Sequence, residues 1–291
     1  MVLAPVTPAA RAWRLAGPID SGMPTLMAVH AHPDDEGIQT GGVLAMAAAR
    51  GFHTVLVTCT NGEMGDSPDG LKPESEGHDT VSTSELRLRE LRKAAAALSI
   101  GNLELLGYRD SGMMGWPQND DPNCFWHTPL DEAVGRVAEL MELYRPEVVV
   151  TYDATGLYGH PDHIQAHRAT IGAAERTGIP QKIYEIAFPQ SLLDAWAEMQ
   201  RAASGETSSA GEGDMARGTP DELISATIDV SSAWEPKLAS IMAHESQMAN
   251  FDFLKLEPEI LKTAFGQEYF VRRFDRTGTP VPETDLFAGI E

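Results

Sequence analysis

Short apolar runs alternate with stretches of helical periodicity along most of the chain. Apolar and β-branched runs predict strands at 26–31, 54–60, 103–106, 147–152, 182–188, 223–230 and 267–274. Leucine and alanine at three- and four-residue spacing predict helices at 42–49, 84–98, 131–144, 163–176 and 234–248. Strands that alternate with helices form βαβ units, so we expect an α/β fold around a mainly parallel sheet.

Composition along the chain predicts four parts. Residues 1–22 are expected to be a flexible or peripherally packed N-terminal extension, followed by a catalytic core over residues 23–200. A low-complexity stretch, SGETSSAGEGDMARGT, predicts a flexible linker or loop over residues 201–220. Residues 221–291 are expected to complete the same sheet and the substrate pocket rather than to fold independently.

Charge and cysteine content limit the classes of partner. The 291 residues carry 43 acidic and 22 basic side chains, and the formal charge of −21 repels phosphate backbones and anionic lipid. No apolar run approaches the ~18 residues of a membrane span, and residues 1–22 lack the apolar region of a secretory signal. Cys59 and Cys124 provide no disulfide framework. We therefore expect a cytoplasmic protein, as a monomer or a homo-oligomer, without nucleic-acid or membrane partners.

Two His-Pro-Asp segments stand at the ends of predicted strands. HAHPDDE, residues 30–36, ends the first strand, and YGHPDH, residues 158–163, follows the strand at 147–152 and opens a helix. Ligands of open α/β sheets bind at the carboxyl ends of strands, where both segments are expected to lie. Local helix-start preferences account for one such segment but not for the same triplet twice. The pair therefore predicts a metal centre.

His32, Asp35 and His163 are the predicted metal ligands. Two imidazoles and a carboxylate suit Zn²⁺, and three protein ligands with one open position typify a catalytic zinc site. Fe²⁺ or another divalent ion also fits this donor set.

The side chains next to these ligands have the chemistry of amide hydrolysis. Asp34 is predicted to be a general base that takes a proton from the water activated by the metal. Tyr158 and His160 are candidate donors to the oxygen on which charge develops, and a protonated His160 is a candidate acid for the leaving amine. Asp162 is predicted to orient a histidine ring from behind.

In these motifs the sequence resembles the LmbE-like, or N-acetylglucosaminyl-phosphatidylinositol de-N-acetylase, family. Within it, the mycothiol-pathway deacetylases and the mycothiol S-conjugate amidases are the most similar branches. The resemblance spans residues 25–290. Its motifs are AHPDDE (31–36), ELRLRELRKAAAALSI (85–100), GYRDSGM (107–113), TYDATGLYGHPDHIQAH (151–167) and ETDLFAGI (283–290).

The resemblance implies a Rossmann-like α/β fold, with helices on both faces of the sheet and a smaller C-terminal portion. It implies an N-acylated glucosamine, attached to a further group, as the small-molecule substrate. The implied site comprises the zinc ligands His32, Asp35 and His163, the base Asp34, the acid or oxyanion stabiliser His160, the mobile donor Tyr158, and the sugar or inositol contacts Arg87 and Asp110.

Gln39 departs from both of these branches. The amidases carry Lys and the deacetylases Ser at its position, so removal of an acetyl group and cleavage of a cysteine-conjugate amide both stay open. An N-acetylglucosamine group in another glycoside is a further alternative.

Three other functional classes share part of this pattern or of its expected fold. Two histidines and one carboxylate also form the iron site of non-haem oxygenases, although those sites usually lie in all-β barrels. A metal- or sugar-binding module without turnover would need no general base, whereas Asp34 is present. A dinucleotide-dependent oxidoreductase is disfavoured because no glycine-rich turn follows the first strand.

Overall fold

A mainly parallel sheet forms the centre of the protein. A computed structural model describes residues 11–14, 22–204 and 218–290. Within those ranges the sheet has eight strands in the spatial order β1-β4-β3-β2-β5-β6-β8-β7. The strands are Arg11–Arg14 (β1), Thr25–His30 (β2), His53–Thr60 (β3), Asn102–Tyr108 (β4), Val148–Thr151 (β5), Lys182–Ala187 (β6), Ala226–Asp229 (β7) and Gln267–Asp275 (β8).

Helices cover the sheet in two packed groups, one built from α2, α3 and α8 and the other from α4 and α6. The helices are Asp35–Gln39 (α1), Gly41–Ala49 (α2), Thr80–Ala97 (α3), Leu130–Tyr144 (α4), Gly156–Gly159 (α5), Pro161–Thr177 (α6), Gln190–Ser204 (α7), Trp234–Met242 (α8) and Pro258–Phe265 (α9). The predicted α/β fold with a mainly parallel sheet is confirmed. Within the described ranges, none of the helices is long and apolar enough to cross a membrane.

Burial explains why the central segments form strands. All six residues of β2 and all four of β5 are buried, as expected for parallel strands covered on both faces. In β5 the apolar residues are Val148, Val149 and Val150, each with no exposed surface. Burying each of these side chains stabilises the fold by roughly 1.5–3 kcal/mol.

The order of the strands places a crevice between β2 and β5. From β2 the chain steps outward through β3 to β4, then returns to pair β5 with the other edge of β2 and continues to β6. The β2–β5 pairing is parallel, with Leu26 opposite Val148 and Ala28 opposite Val150. Such a switch point is where open α/β sheets bind ligands at the carboxyl ends of their strands. Both His-Pro-Asp segments follow these two strands.

The C-terminal portion extends the same sheet. β8 pairs antiparallel with β6, and β7 pairs antiparallel with β8. From β8, the Glu268 carboxylate accepts hydrogen bonds from the backbone N–H groups of Gly42 (2.7 Å) and Val43 (3.0 Å). A carboxylate at this position satisfies free N–H groups of α2 and complements its dipole. The buried Lys237 ammonium lies 2.8 Å from the same carboxylate, so the charge is paired.

Some element boundaries differ from the sequence-based prediction. The predicted helix over 234–248 ends at Met242, and a 3₁₀ helix over Glu245–Asn250 follows. The predicted strand over 223–230 shortens to Ala226–Asp229. Just after α8 ends, side chains of residues 244–247 bond to Glu36, Glu90 and Asp66. The helices α7 and α9 were not predicted from the sequence.

The predicted extension and linker are described only in part. Residues 11–14 form β1, which pairs antiparallel with β4, whereas residues 1–10 and 15–21 lie outside the described ranges. The helix α7 continues to Ser204, and residues 205–217 of the predicted linker also lie outside. Where the description resumes, Thr219 forms a bridge with Pro189, so the chain returns to the start of α7.

Candidate metal and active site

Three donor atoms converge beyond the ends of β2 and β5. His32 Nδ1 lies 3.2 Å from His163 Nε2 and 3.4 Å from Asp35 Oδ2. The distance from His163 Nε2 to Asp35 Oδ2 is 3.6 Å. Zinc bonds of about 2.1 Å in tetrahedral geometry place neighbouring ligand atoms about 3.4 Å apart. The three atoms therefore have the spacing of one face of a zinc tetrahedron. All three side chains are buried.

The second nitrogen of His32 faces carboxylates. His32 Nε2 lies 3.3 Å from Asp162 Oδ2 and 3.7 Å from Asp110 Oδ1. Asp162 is in turn held by the backbone N–H and the hydroxyl of Ser111. A carboxylate behind a histidine fixes its tautomer and ring orientation and leaves the other nitrogen free to bind a metal. This is the position that the sequence-based prediction gave to Asp162.

Asp35 is held by two side chains that the sequence-based prediction missed. The hydroxyl of Tyr152 donates to Asp35 Oδ2 at 2.6 Å, and Gln39 Nε2 donates to Oδ1 at 3.1 Å. Burial opposes ionisation of this carboxyl, but the adjacent His163 and His32 hold its pKa well below the usual range. Tyr152 directly follows β5 in the sequence, but nothing in the sequence indicated that its hydroxyl crosses to the loop after β2.

Asp34 forms an ion pair with the buried Arg87 beside the donor triangle. Arg87 Nη2 lies 2.7 Å from Asp34 Oδ2, and the guanidinium also donates to the backbone oxygens of Pro33 and Gly62. Burial raises the pKa of Asp34 to about 6, although the charge of Arg87 opposes this rise. A carboxyl that titrates near neutrality is suited to proton transfer. Arg87 is only 4% exposed, so it contacts Asp34 from within the protein.

His160 stands at the start of α6, over the other two histidines. Its ring centroid is 4.4 Å from that of His32 and 5.0 Å from that of His163. His160 Nδ1 accepts the backbone N–H of Asp162 at 3.2 Å, which caps α6 and leaves the proton of the neutral ring on Nε2. Burial lowers the pKa of His160 well below the ordinary imidazole value, and the neighbouring His32 and His163 lower it further. The ring is therefore a neutral donor.

Tyr158 lies in a strained turn between β5 and α6. Its ring centroid is 5.0 Å from that of His163 and 6.1 Å from that of His160. The preceding Leu157 has φ 63° and ψ −70°, a conformation that non-glycine residues rarely adopt and that marks local strain. Burial and nearby carboxylates raise the pKa of Tyr158 well above the ordinary phenol value, so its hydroxyl keeps its proton and can donate.

Asp110 lies close to the ring of His32 on its outer side. The Asp110 carboxylate accepts backbone N–H groups from Gly112 (2.8 Å) and Met64 (3.4 Å). Glu63, another side chain missed from the sequence, is 8% exposed, and its Oε2 has no hydrogen-bond partner in the described part of the chain. Burial, together with the charge of Asp110, raises the pKa of Glu63 to about 7.

Two further donor combinations surround His32. Within the described ranges, donor atoms of His32, His160 and His163 lie within 4.8 Å of one another, and so do those of His32, Asp110 and Asp162. The structure thus brings together all the predicted site residues and shows a cluster able to hold a metal ion. A buried histidine–carboxylate cluster with a further carboxylate beside it, at a switch point of an α/β sheet, is typical of the class of metal-dependent hydrolases.

Comparison with known proteins identifies the family. The sequence model described as PIG-L, GlcNAc-PI de-N-acetylase, matches residues 27–174, a range that runs from β2 into α6. The chain belongs to this family and is a deacetylase-type hydrolase, which confirms the family and the enzyme class predicted from the His-Pro-Asp motifs.

Relatives match along nearly the whole chain. The 1D-myo-inositol 2-acetamido-2-deoxy-alpha-D-glucopyranoside deacetylase of Acidothermus cellulolyticus is 41% identical over 283 residues, 92% of this chain and 95% of that protein. The protein of the same name from Thermobifida fusca is 42% identical over 285 residues, covering 90% and 98%. Among solved structures, the N,N'-diacetylchitobiose deacetylase of Pyrococcus horikoshii has a TM-score of 0.54 at 20% identity, covering 85% of this chain and 83% of that one.

Proposed function

We propose that this chain is a zinc-dependent N-deacetylase that removes the acetyl group from N-acetylglucosamine linked to inositol. The observation that carries the proposal is the triangle of His32, Asp35 and His163 donor atoms, with the Asp34 carboxylate beside it. The substrate is that in the name of the two relatives described above, which match this chain over nine-tenths of its length.

His32 Nδ1, Asp35 Oδ2 and His163 Nε2 would hold the zinc ion, because their spacing and donor chemistry fit a tetrahedral site. When bound, zinc lowers the pKa of a coordinated water to about 7 and polarises the amide carbonyl. Asp162 orients the His32 ring through Nε2, and Tyr152 fixes the oxygen of Asp35 that faces the two histidines. The same donor set would accept Fe²⁺ or another divalent ion.

Asp34 acts as the general base. It takes a proton from the attacking water and later returns a proton to the nitrogen of the departing glucosamine. The second proton of the water also ends on this nitrogen, so the products are acetate and the protonated amine, and the atoms and protons balance. Arg87 holds the Asp34 carboxylate in place at 2.7 Å, which gives the base a fixed orientation. Asp34 is also less buried than its partner, since 17% of its side chain is exposed against 5% for Arg87.

His160 and Tyr158 stabilise the oxyanion of the tetrahedral intermediate. The neutral His160 ring presents an Nε2–H donor, because its Nδ1 is committed to the Asp162 backbone. The protonated Tyr158 hydroxyl is the second donor, and the strained turn at Leu157 sets the position of its ring. Donors of this kind are worth about 10²–10³ in kcat each.

Asp110 and Arg87 remain the predicted contacts to the sugar or inositol. Asp110 supports this role through its position beside His32, where a carboxylate can accept a sugar hydroxyl. The structure supports this role less for Arg87, because both terminal nitrogens of its guanidinium already have partners. Within the described residues, only its Nε has none. We infer that the main contribution of Arg87 is to position Asp34.

The test is acetate release by zinc-loaded protein from N-acetylglucosaminyl inositol, with a cysteine-conjugated amide of the same sugar and a simple N-acetylglucosamine glycoside as comparison substrates. Asp34→Asn should lower kcat by about 10²–10⁴ while one zinc remains bound per chain. Asp131→Asn, at an exposed carboxylate in α4, serves as the control and should change neither quantity. Faster cleavage of the cysteine conjugate would assign the amidase reaction instead, and full activity after exhaustive metal removal would contradict the proposal.

A further inference from the structure

Residues 244–247 (HESQ) follow α8, inside the range over which the sequence predicted one continuous helix. This segment bonds to three separate parts of the chain around the site. His244 Nε2 lies 2.7 Å from Glu36 Oε1, in the segment after β2. Ser246 bonds through its backbone N–H and its hydroxyl to Glu90 of α3, one turn after Arg87. Gln247 bonds to the backbone N–H and carbonyl of Asp66, in the loop after β3. None of these side chains contributes to the chemistry proposed above.

The contact of His244 leads directly to the proposed base. The Glu36 carboxylate bridges two donors, because Oε1 accepts from His244 and Oε2 accepts the backbone N–H of Asp34 at 3.0 Å. His244 and Glu36 have no exposed surface. A buried carboxylate needs such partners, since an unpaired buried charge strongly destabilises the fold. His244 therefore fixes the orientation in which the Glu36 carboxylate holds the Asp34 backbone.

The Asp34 backbone needs to be held. Asp34 has φ 120° and ψ −27°, a strained region that L-residues rarely adopt. In this conformation the two neighbouring carboxylates have different contacts. The Asp34 carboxylate pairs with Arg87, and the Asp35 carboxylate lies in the donor triangle. Among the described residues, the Glu36 carboxylate and the Arg87 guanidinium are the hydrogen-bond partners that hold Asp34 in this conformation.

We propose that His244 is a positioning residue for the reaction, which holds the base Asp34 in its strained conformation through Glu36. The inference rests on the proposed function for its kinetic part, because it assigns Asp34 the role of base. It places a determinant of catalysis in the C-terminal portion, 208 residues from its partner in sequence. His244 touches neither the donor triangle nor the substrate-binding residues named above.

The experiment compares three substitutions of His244 in the full-length, zinc-loaded protein. His244→Gln keeps an N–H donor at a reach similar to Nε2, whereas His244→Asn is too short and His244→Leu has no donor. Removing partners behind a metal site typically costs about 10–100-fold. We expect kcat to fall by that factor in the Leu and Asn variants, with KM and zinc content unchanged, and to stay within about threefold of wild type in the Gln variant. Equal kcat values for the Gln and Asn variants would overturn the proposal, even if the Leu variant fails to fold.

A remote histidine provides the matched control. His53 begins β3 at the opposite end of the sheet, and its Nε2 bonds to Asn102 Oδ1 at 2.7 Å. His53→Leu removes a histidine hydrogen bond of the same kind and should lower the melting temperature without changing kcat. An equal loss of kcat in His53→Leu and His244→Leu would mean that His244 acts only on stability.

An independent measurement follows the Asp34 backbone itself. In protein labelled with ¹⁵N-aspartate, the Asp34 amide proton should move upfield in His244→Asn and stay in place in His244→Gln, because the bond to Glu36 weakens only in the former. An unmoved Asp34 amide in both variants would overturn the inference. If wild-type protein cleaves none of the substrates, the proposed function fails, and this amide measurement still decides whether His244 positions Asp34.

Discussion

The hydroxyl of Tyr152 lies 2.6 Å from Oδ2 of Asp35, so the residue after β5 fixes a proposed ligand that follows β2. The same hydroxyl accepts the backbone N–H of Ala31 at 2.7 Å. Both bonds cross the switch point of the sheet. Tyr152 is fully buried, and its ring stacks on that of His163 with centroids 4.1 Å apart, so it contacts two of the three proposed ligands.

Removing this hydroxyl should weaken metal binding more than folding. Tyr152→Phe keeps the ring stack but leaves Asp35 Oδ2 held only by the backbone N–H of His32 (2.9 Å) among the described residues. We expect zinc affinity to fall about 10–100-fold, measured by competition with a chelator. The stability of the apoprotein should fall by only about 1 kcal/mol. Tyr184→Phe is the control, because its hydroxyl bonds to Glu283 at 2.8 Å, away from the site. Equal zinc affinity in the two variants would rule out a role for Tyr152 in metal binding.

Chelation should abolish activity and leave the fold intact. A chain of this size buries a full core without a metal, and the donor side chains are already held by Tyr152, Gln39 and Asp162. We expect unchanged far-ultraviolet circular dichroism, lost acetate release, and recovery on addition of Zn²⁺. The melting temperature should rise with free zinc concentration as mass action requires. Unfolding of the chelated protein would show that the metal is structural.

Glu63 should make the protein less stable as pH rises. Its pKa is raised to about 7 in the folded protein from 4.5, mainly by burial. The folded state therefore binds this proton more tightly than the unfolded state, so stability is lost as pH rises between those two values and is unaffected below them.

Glu63→Gln should accordingly stabilise the protein by about 1–3 kcal/mol at pH 8 and have almost no effect at pH 4, as measured by urea unfolding. Glu74→Gln, on the same loop but exposed, should change stability by less than about 0.5 kcal/mol at either pH. A benefit of Glu63→Gln that is the same at both pH values would show that the Glu63 carboxyl is not the titrating group.

Two helical glycines should respond oppositely to substitution by alanine. A Cβ at Gly42 of α2 would lie 2.4 Å from Val230 Cβ, so we expect Gly42→Ala to cost about 1–3 kcal/mol. At Gly135 of α4 the nearest atom is Arg176 Nη1 at 3.6 Å, so alanine fits. Gly135→Ala should stabilise by up to about 1 kcal/mol through helix propensity. Thermal unfolding of the two variants checks this, and a stable Gly42→Ala would show that α2 and Val230 can separate.

The sequence predicted those parts of the site whose residues lie in short segments at the ends of strands. His32 and Asp35 belong to one short segment, and His163 lies in the first turn of α6, which follows β5 after the short α5. A strand-end rule was therefore enough to bring them together. The parallel sheet was also predictable from local sequence. Strands and helices alternate along the chain, and the apolar composition of β2 and β5 indicates that both strands are buried.

The residues that were missed depend on contacts between distant segments. His244 has the appearance of an isolated histidine in sequence, and only the packed C-terminal portion brings it to Glu36. Glu63 lies in a polar loop, and its burial follows from tertiary packing. Arg87 was predicted to contact the substrate, but a helical arginine gives no sign that its partner will be Asp34. Periodicity carries no information about such polar partners.

The pairing of β2 with β5 has a consequence for folding. The nitrogen atoms of residues 32 and 163 meet only after the chain has closed a loop of 131 residues. Loop closure of this length is among the slow events of folding, because its entropy is lost before the contacts form. Zinc uptake by refolding chains would therefore mark the moment at which the two halves of the sheet join.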